Sequence, residues 1–235
     1  MENITESFKE ALLPHKGLVI YQGDTAGLYV ESFDFSLAGN PINFHPLTEL
    51  ESKALGETLF PVSDSKGFLY IKGLIPSELL HINTSHQGCA VWQTGIRKIP
   101  LFFKDQLGIP SGLAYVPPLL WKATKKTLYV FALPDKKRPG LQTQLYRAPF
   151  FNIHDDGEVC MGDVTVNIAD DCALDSFIAQ WERYFFTSYF SHLIGSKCPV
   201  TGNIVQLWKG LVQTGNRFPV ERLIQSSRTL KSLLT

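Results

Sequence analysis

The segment that decides the fold runs from Leu145 to Gly162 and reads LYRAPFFNIHDDGEVCMG. Its apolar start gives way to Asp155-Asp156-Gly157, which predicts a turn because glycine tolerates positive φ and aspartate side chains bond to nearby backbone. Cys160 follows this turn, and Gly162 leaves room beside its sulfur for a bulky partner. The segment therefore predicts an accessible cysteine at the rim of the protein.

Cys160 and Asn152 together have the chemistry that acyl transfer through sulfur requires. Such transfer needs a reachable thiolate and a hydrogen-bond donor aimed at the developing oxyanion. The Asn152 amide carries two N–H donors and no charge, and the turn would fold it back over Cys160. The pattern by itself leaves a structural alternative open, in which Cys160 is a small buried hydrophobic residue and Asn152 a turn residue.

Composition indicates a packed globular protein that needs neither a disulfide nor a metal ion to fold. The chain has 235 residues, of which 44% are hydrophobic and 19% charged, and this length suffices to bury a sizeable core. Its 22 Lys and Arg balance its 22 Asp and Glu, so no overall field attracts a polyanion and we expect no nucleic-acid partner.

The cysteines and the hydropathy pattern indicate a cytoplasmic protein. No apolar run approaches the ~20 residues that span a bilayer, and no signal peptide is recognisable, so we expect no membrane association. The four cysteines are scattered without a C-x-x-C pair or zinc-type Cys/His spacing. This arrangement favours free thiols in a reducing compartment and predicts no metal site.

The pattern along the chain predicts an α+β fold. Short apolar stretches from Gly17 to Phe44 indicate an opening meander of strands, and a helix is expected over about 46–59. Residues 67–148 alternate apolar stretches with glycine and proline, as four or five antiparallel strands would, with an irregular loop over 104–120. Apolar residues then recur at helical spacing over 174–194, which predicts a long amphipathic helix with His192 in the core.

The run FFNIHDDGEVC resembles the active-site signature of ubiquitin-conjugating enzymes, in which His-Pro-Asn is followed by a turn, a glycine and the catalytic cysteine. Asn152 stands eight residues before Cys160, and Gly157 stands three before it, as in that superfamily. The stretches LYRAPFFNI, EVCMG and WERYFFTSYFSH resemble, more narrowly, its prokaryotic family D, including a component of the PRTRC genetic system. The resemblance covers about residues 60–200.

The resemblance implies a UBC-like fold: a four-stranded antiparallel meander with a long crossover helix, plus a strand-rich N-terminal extension. The spacing of apolar residues from Ile204 to Leu230 predicts one or two C-terminal helices in addition. It divides the chain into an N-terminal extension (1–59), a conjugating-enzyme-like domain (60–200) and a helical tail (201–235). It also implies that Cys160 carries a ubiquitin-like protein as a thioester, with Asn152 as the second catalytic residue and no cofactor. The implied partners are a ThiF-type activating enzyme, the ubiquitin-like protein and a JAB-type isopeptidase.

One departure from the superfamily signature concerns its first two residues. Phe150-Phe151 replaces His-Pro, so the loop-shaping role of that histidine is absent, and packing of the two aromatic rings would hold the loop instead. Two other functions therefore stay open. The chain could be a non-catalytic docking module of the same fold, or a cysteine hydrolase with His154 as base and Asp155 or Asp171 as its orienting carboxylate.

Asp163, in the loop after the cysteine, is a further candidate site residue. Asp163 follows Cys160 by three residues, and a carboxylate there could orient an incoming amine. This interpretation rests on proximity in sequence.

Overall fold

The computed structural model describes residues 13–22, 27–59 and 67–234. The chain divides into two compact units, Met1–Asp64 and Ser65–Thr235. Both combine helices with strands that are mostly antiparallel, so the predicted α+β class is confirmed. Within the described ranges, no helix is both long enough and apolar enough to cross a membrane.

The smaller unit is a three-stranded antiparallel meander followed by a helix. Its elements are β1 (Lys16–Gln22), β2 (Leu28–Phe35), β3 (Pro41–Pro46) and α1 (Glu49–Leu59). The helix begins three residues later than predicted because Pro46 still pairs with Glu31 in the sheet. A capping box then starts the helix: the Glu51 N–H donates to Thr48 Oγ1 at 3.3 Å, and the Thr48 N–H donates to Glu51 Oε2 at 3.1 Å.

The larger unit is built around a six-stranded antiparallel sheet. The unit as a whole contains nine strands among the described residues: β4 (Leu79–Asn83), β5 (Cys89–Thr94), β6 (Arg97–Phe103), β7 (Gly112–Val116), β8 (Leu119–Ala123), β9 (Leu128–Ala132), β10 (Gln144–Arg147), β11 (Tyr189–Phe190) and β12 (Gln225–Thr229). The large sheet has the order β12-β10-β9-β8-β5-β4, and β11-β6-β7 forms a smaller one. The large sheet holds six strands, whereas the resemblance implies a meander of four.

The predicted loop over 104–120 is wrong in its second half. It contains β7 and the first residues of β8, and Ala114 and Val116 are fully buried. Pro110 precedes β7 and Pro117-Pro118 follows it. The prolines therefore mark the ends of a short strand rather than an irregular loop, and a five-residue strand is too short for its alternation to stand out in sequence.

Helix α2 (Leu174–Thr187) packs its aromatic stripe against one face of the large sheet. Phe177, Trp181 and Phe185 are fully buried, and Phe185 meets the ring of Trp121 edge-on at 5.3 Å. Glu182 anchors the same helix by accepting hydrogen bonds from Trp92 Nε1 at 3.0 Å and Arg97 Nη1 at 2.7 Å. The helix thereby fixes where the chain continues after Thr187.

The predicted helix over 174–194 begins at the expected residue but ends seven residues early. Ser188 Oγ donates to the Phe185 carbonyl at 2.6 Å, and residues 189–190 then pair in parallel with Phe102 and Phe103. Phe190 is fully buried in this strand. The long-range pairing of β11 with β6 therefore replaces the helix that the local spacing favours.

The C-terminal residues combine helices with a strand that their sequence pattern did not predict. They form α3 (Ile204–Thr214), β12 and α4 (Leu230–Leu234). Asn203 caps α3 by accepting from the N–H groups of Val205 and Gln206. Leu230 and Leu233 cover the second face of the large sheet, which is apolar around Leu120 and Phe131.

Candidate functional site

The turn that precedes Cys160 is a short hairpin that pairs with the first residues of β9. Ile153 and Val159 face each other in an antiparallel bridge, and the Val159 N–H donates to the Leu128 carbonyl at 2.8 Å. Gly157 has φ of +94°, and a Cβ there would lie 2.3 Å from the ring of Phe131. Only glycine combines this backbone angle with so close an approach to the core.

The hairpin brings Asn152 and Cys160 side by side, as their spacing predicts. The Cys160 N–H donates to the Asn152 carbonyl at 2.9 Å, and Asn152 Nδ2 donates to the Cys160 carbonyl at 3.4 Å. Cys160 is exposed, whereas Asn152 is 8% exposed. Asn152 Oδ1 is buried and accepts no hydrogen bond from the described residues. The side chain therefore uses one of its two N–H donors on the backbone of Cys160.

Aromatic packing holds the loop at the position where the superfamily has His-Pro. Phe150 and Phe151 are both 1% exposed. The Phe150 ring stacks on Trp208 at 5.6 Å and on Phe190 at 5.5 Å, and Phe151 meets Phe103 edge-on at 6.1 Å. The two rings are thus packed in the core, as expected.

Cys160 opens into a cleft of about 280 Å³. The walls are the loop over 160–164, the chain that leaves α2, and Lys104 at the end of β6. Lys104 Nζ lies 5.1 Å above the ring of Tyr189. The cleft is lined by one positively charged side chain, Lys104, and one negatively charged side chain, Asp163.

His192 also lines this cleft, which corrects its expected place in the core. The residue is exposed, and its Nδ1 lies 2.9 Å from Ser191 Oγ. Its position follows from the early end of α2, because residues after Thr187 no longer follow the helical stripe. Helical spacing alone therefore predicts the wrong position for His192, in the core instead of in the cleft.

The structure does not bring the residues of the predicted hydrolase together. His154 is exposed beside a different, small cavity and does not line the cleft of Cys160. Asp155 bonds to Ser196 and, at 2.9 Å, to Arg147 Nη1 rather than to His154. The hydrogen bond from Ser196 contributes most to lowering the pKa of the Asp155 carboxyl below its usual value, and Arg147 lowers it further. Asp171 is exposed just before α2.

Comparison with known proteins identifies the family. The sequence model described as prokaryotic E2 family D matches residues 59–226, which include Asn152, Cys160 and all of α2. The chain belongs to prokaryotic E2 family D. No curated protein and no solved structure gives a significant match to this E2-like chain.

The other cysteines of this family D protein are less accessible than Cys160. Cys172 is buried, while Cys89 and Cys198 are half-buried. Burial raises the pKa of the Cys89 and Cys172 thiols, which disfavours their reactive thiolate form. Cys160 is thus the one exposed thiol of the four.

The described residues contain no cluster suited to a metal ion. Among residues 13–22, 27–59 and 67–234, no three His, Cys, Asp or Glu side chains lie close enough together to hold a metal ion. Within the cleft, the groups available for chemistry are the thiol, the Asn152 amide, the imidazole of His192 and the two charged side chains. Sequence reasoning missed Lys104, which is 56 residues from Cys160 in the chain.

Proposed function

We propose that Cys160 carries a ubiquitin-like protein as a thioester and passes it to an amine. The observation that supports this most is the pairing of an exposed cysteine with a buried asparagine amide, tied to each other at the mouth of a cleft. Membership of the E2-like family supports the same chemistry, since the matched residues include both side chains.

The proposed reaction has two acyl transfers. In the first, the Cys160 thiolate attacks the thioester carbonyl on the activating enzyme, a new C–S bond forms, and the enzyme's cysteine leaves as a thiolate. In the second, a neutral amine attacks the carbonyl on Cys160, the C–N bond forms, the C–S bond breaks, and the amine loses a proton. The second N–H of Asn152 would stabilise the oxyanion of the tetrahedral intermediate in this second transfer.

The same proposal matches elements of this structure to those of a UBC-like fold. The four strands of the meander would be β5, β8, β9 and β10, which are neighbours in the large sheet, and α2 would be the crossover helix. The hairpin before Cys160 would be the active-site flap. In this assignment β4, β12 and the small sheet are additions around the conserved arrangement of the superfamily.

The proposal implies defined partners and a setting. A ThiF-type activating enzyme would supply the thioester, a ubiquitin-like protein would be the cargo, and a JAB-type isopeptidase would reverse the modification. We place this set in the cytoplasm and in a PRTRC-type genetic system. Neither a membrane nor a nucleic acid takes part in the proposed reaction.

The experiment that tests this function is a thioester assay. The purified chain is mixed with the activating enzyme, ATP and the ubiquitin-like protein and run on a non-reducing gel. We expect a thiol-labile adduct that is lost in Cys160→Ala and kept in Cys198→Ala, a matched control at a half-buried thiol. An adduct that survives Cys160→Ala would overturn the assignment.

A second function is favoured by one specific contact. Asn152 Nδ2 already bonds to the Cys160 backbone, and a purely structural role for this bond suits a docking module that has kept the fold without the chemistry. This protein would bind the activating enzyme or the ubiquitin-like protein yet form no thioester, so the same gel separates the two functions.

A further inference from the structure

The second transfer step releases a proton, and the cleft contains several groups that could take it. The ionisable side chains that line it within the described residues are Lys104, Cys160, Asp163, Tyr189 and His192. Of these side-chain types, the imidazole of histidine most often serves as a general base in enzymes.

The contacts of His192 suit a base. Its Nδ1 lies 2.9 Å from Ser191 Oγ, and when Nδ1 donates its proton to that hydroxyl, the lone pair of the ring lies on Nε2. The segment is also held close to the flap: the Ile194 N–H donates to the Phe151 carbonyl at 3.0 Å, and Phe190 is fully buried. The imidazole is therefore on an anchored wall of the cleft rather than on a free loop.

The flap itself offers no histidine for this role. The position where the superfamily has one is Phe150, which is buried among aromatic rings. His154 is in the turn but faces a different cavity. Of the six histidines, His192 is therefore the one that lines the cleft of Cys160.

We propose that His192 is the general base for the amine that attacks the thioester on Cys160. This inference rests on the function proposed above and names a further catalytic residue for it. As the amine nitrogen bonds to the carbonyl carbon, its proton passes to His192 Nε2, the C–S bond breaks, and Cys160 leaves as a thiolate. The protonated imidazole then returns its proton to solvent. Ser191 is a positioning residue, since it acts through the orientation of the ring.

The test is single-turnover discharge of a preformed thioester to methoxyamine, a weakly basic amine that is almost wholly neutral over the assay range of about pH 6 to 8. Three proteins are compared: wild type, His192→Ala, and His154→Ala as the matched control at an exposed histidine outside the cleft. We expect all three to load the ubiquitin-like protein equally. The wild-type and His154→Ala rates should rise with pH across this range, because only a deprotonated base accepts the proton. The His192→Ala rate should be about 100-fold lower at pH 8 and lack that rise.

Two further measurements separate a base from a structural residue. Added imidazole should raise the discharge rate of His192→Ala and leave that of His154→Ala unchanged, and circular dichroism should show equal folding of the variants. A wild-type rate and pH profile for a loaded His192→Ala would overturn this inference and leave the proposed function standing. Absence of any thioester on the wild-type protein would overturn both.

Discussion

Asn152 and Cys160 each donate a hydrogen bond to the backbone of the other. The Cys160 N–H donates to the Asn152 carbonyl at 2.9 Å, and Asn152 Nδ2 donates to the Cys160 carbonyl at 3.4 Å. The backbone bond closes the hairpin, and the longer side-chain bond points the amide at the residue that carries the thiol. Because 3.4 Å is beyond the usual length of such bonds, the amide is free to shift its donor toward an acyl group on sulfur at little cost.

Asn152→Ala should separate catalysis from folding. We expect the variant to load the thioester on Cys160 yet to transfer it at least ~30-fold more slowly, since loss of an oxyanion donor typically costs 10²–10³ in rate. Loss of the hydrogen bond to Cys160 costs about 0.5–1.5 kcal/mol. The substitution also removes the buried, unpartnered Oδ1, and this gain offsets that cost. The melting temperature should therefore barely move.

The measurements are loading, discharge and thermal melting on one preparation of Asn152→Ala. A wild-type transfer rate, or loss of loading together with folded structure, would show that Asn152 is only a turn residue.

Gly157→Ala should disrupt the hairpin that carries Cys160. At φ of +94° an alanine is strained, and its Cβ would lie 2.3 Å from the Phe131 ring, so we expect destabilisation of about 2–4 kcal/mol from strain and overpacking together. Gly202→Ala is the matched control, because Gly202 has φ of +90° with nothing within 4 Å of the added Cβ. It should lose only the strain component. Urea unfolding measures both, and equal losses would contradict a role for the ring contact.

Phe150→His restores the histidine of the superfamily signature and should damage this protein rather than activate it. Phe150 is 1% exposed and stacked on Trp208 and Phe190, so an imidazole there would be buried without a partner, at a cost of about 1–3 kcal/mol in addition to lost packing. Phe150→Leu, which introduces no polar atom, should be more stable than Phe150→His. Thermal melting compares the two, and a Phe150→His protein as stable as wild type would refute the packing role.

Asp155 should make folding stability depend on pH at the acid end. Hydrogen bonds from Ser196 and Arg147 lower the pKa of this carboxyl in the folded state, so its contribution is present above the pKa of an unfolded aspartate, about 3.9, and is lost as pH falls through the folded pKa. The residue is 38% exposed at its side chain, so solvent screening keeps the contribution below about 1 kcal/mol.

We therefore expect Asp155→Asn to be less stable than wild type at pH 7 and to approach it at low pH, as measured by denaturant unfolding across pH. Asp171→Asn, at an exposed aspartate without an ion pair among the described residues, serves as the control. A stability difference for Asp155→Asn that does not change with pH would contradict the linkage.

The sequence by itself determined the features that depend on local chemistry. The turn at Asp156-Gly157, the proximity of Asn152 to Cys160 and the start of α2 at Leu174 each follow from residues a few positions apart, because turn geometry and helical spacing are set within such a distance. The exposure of Cys160 follows from the same turn.

Tertiary structure alone decided which other groups meet at the cleft. The spacing of aromatic residues favours a helix through His192, but pairing of Tyr189 and Phe190 with β6, 87 residues away, ends the helix at Thr187. That pairing moves His192 from the expected core to the wall of the cleft, which Lys104 also lines. Contacts between distant segments form only where the folded chain brings strands together, so no local pattern encodes them.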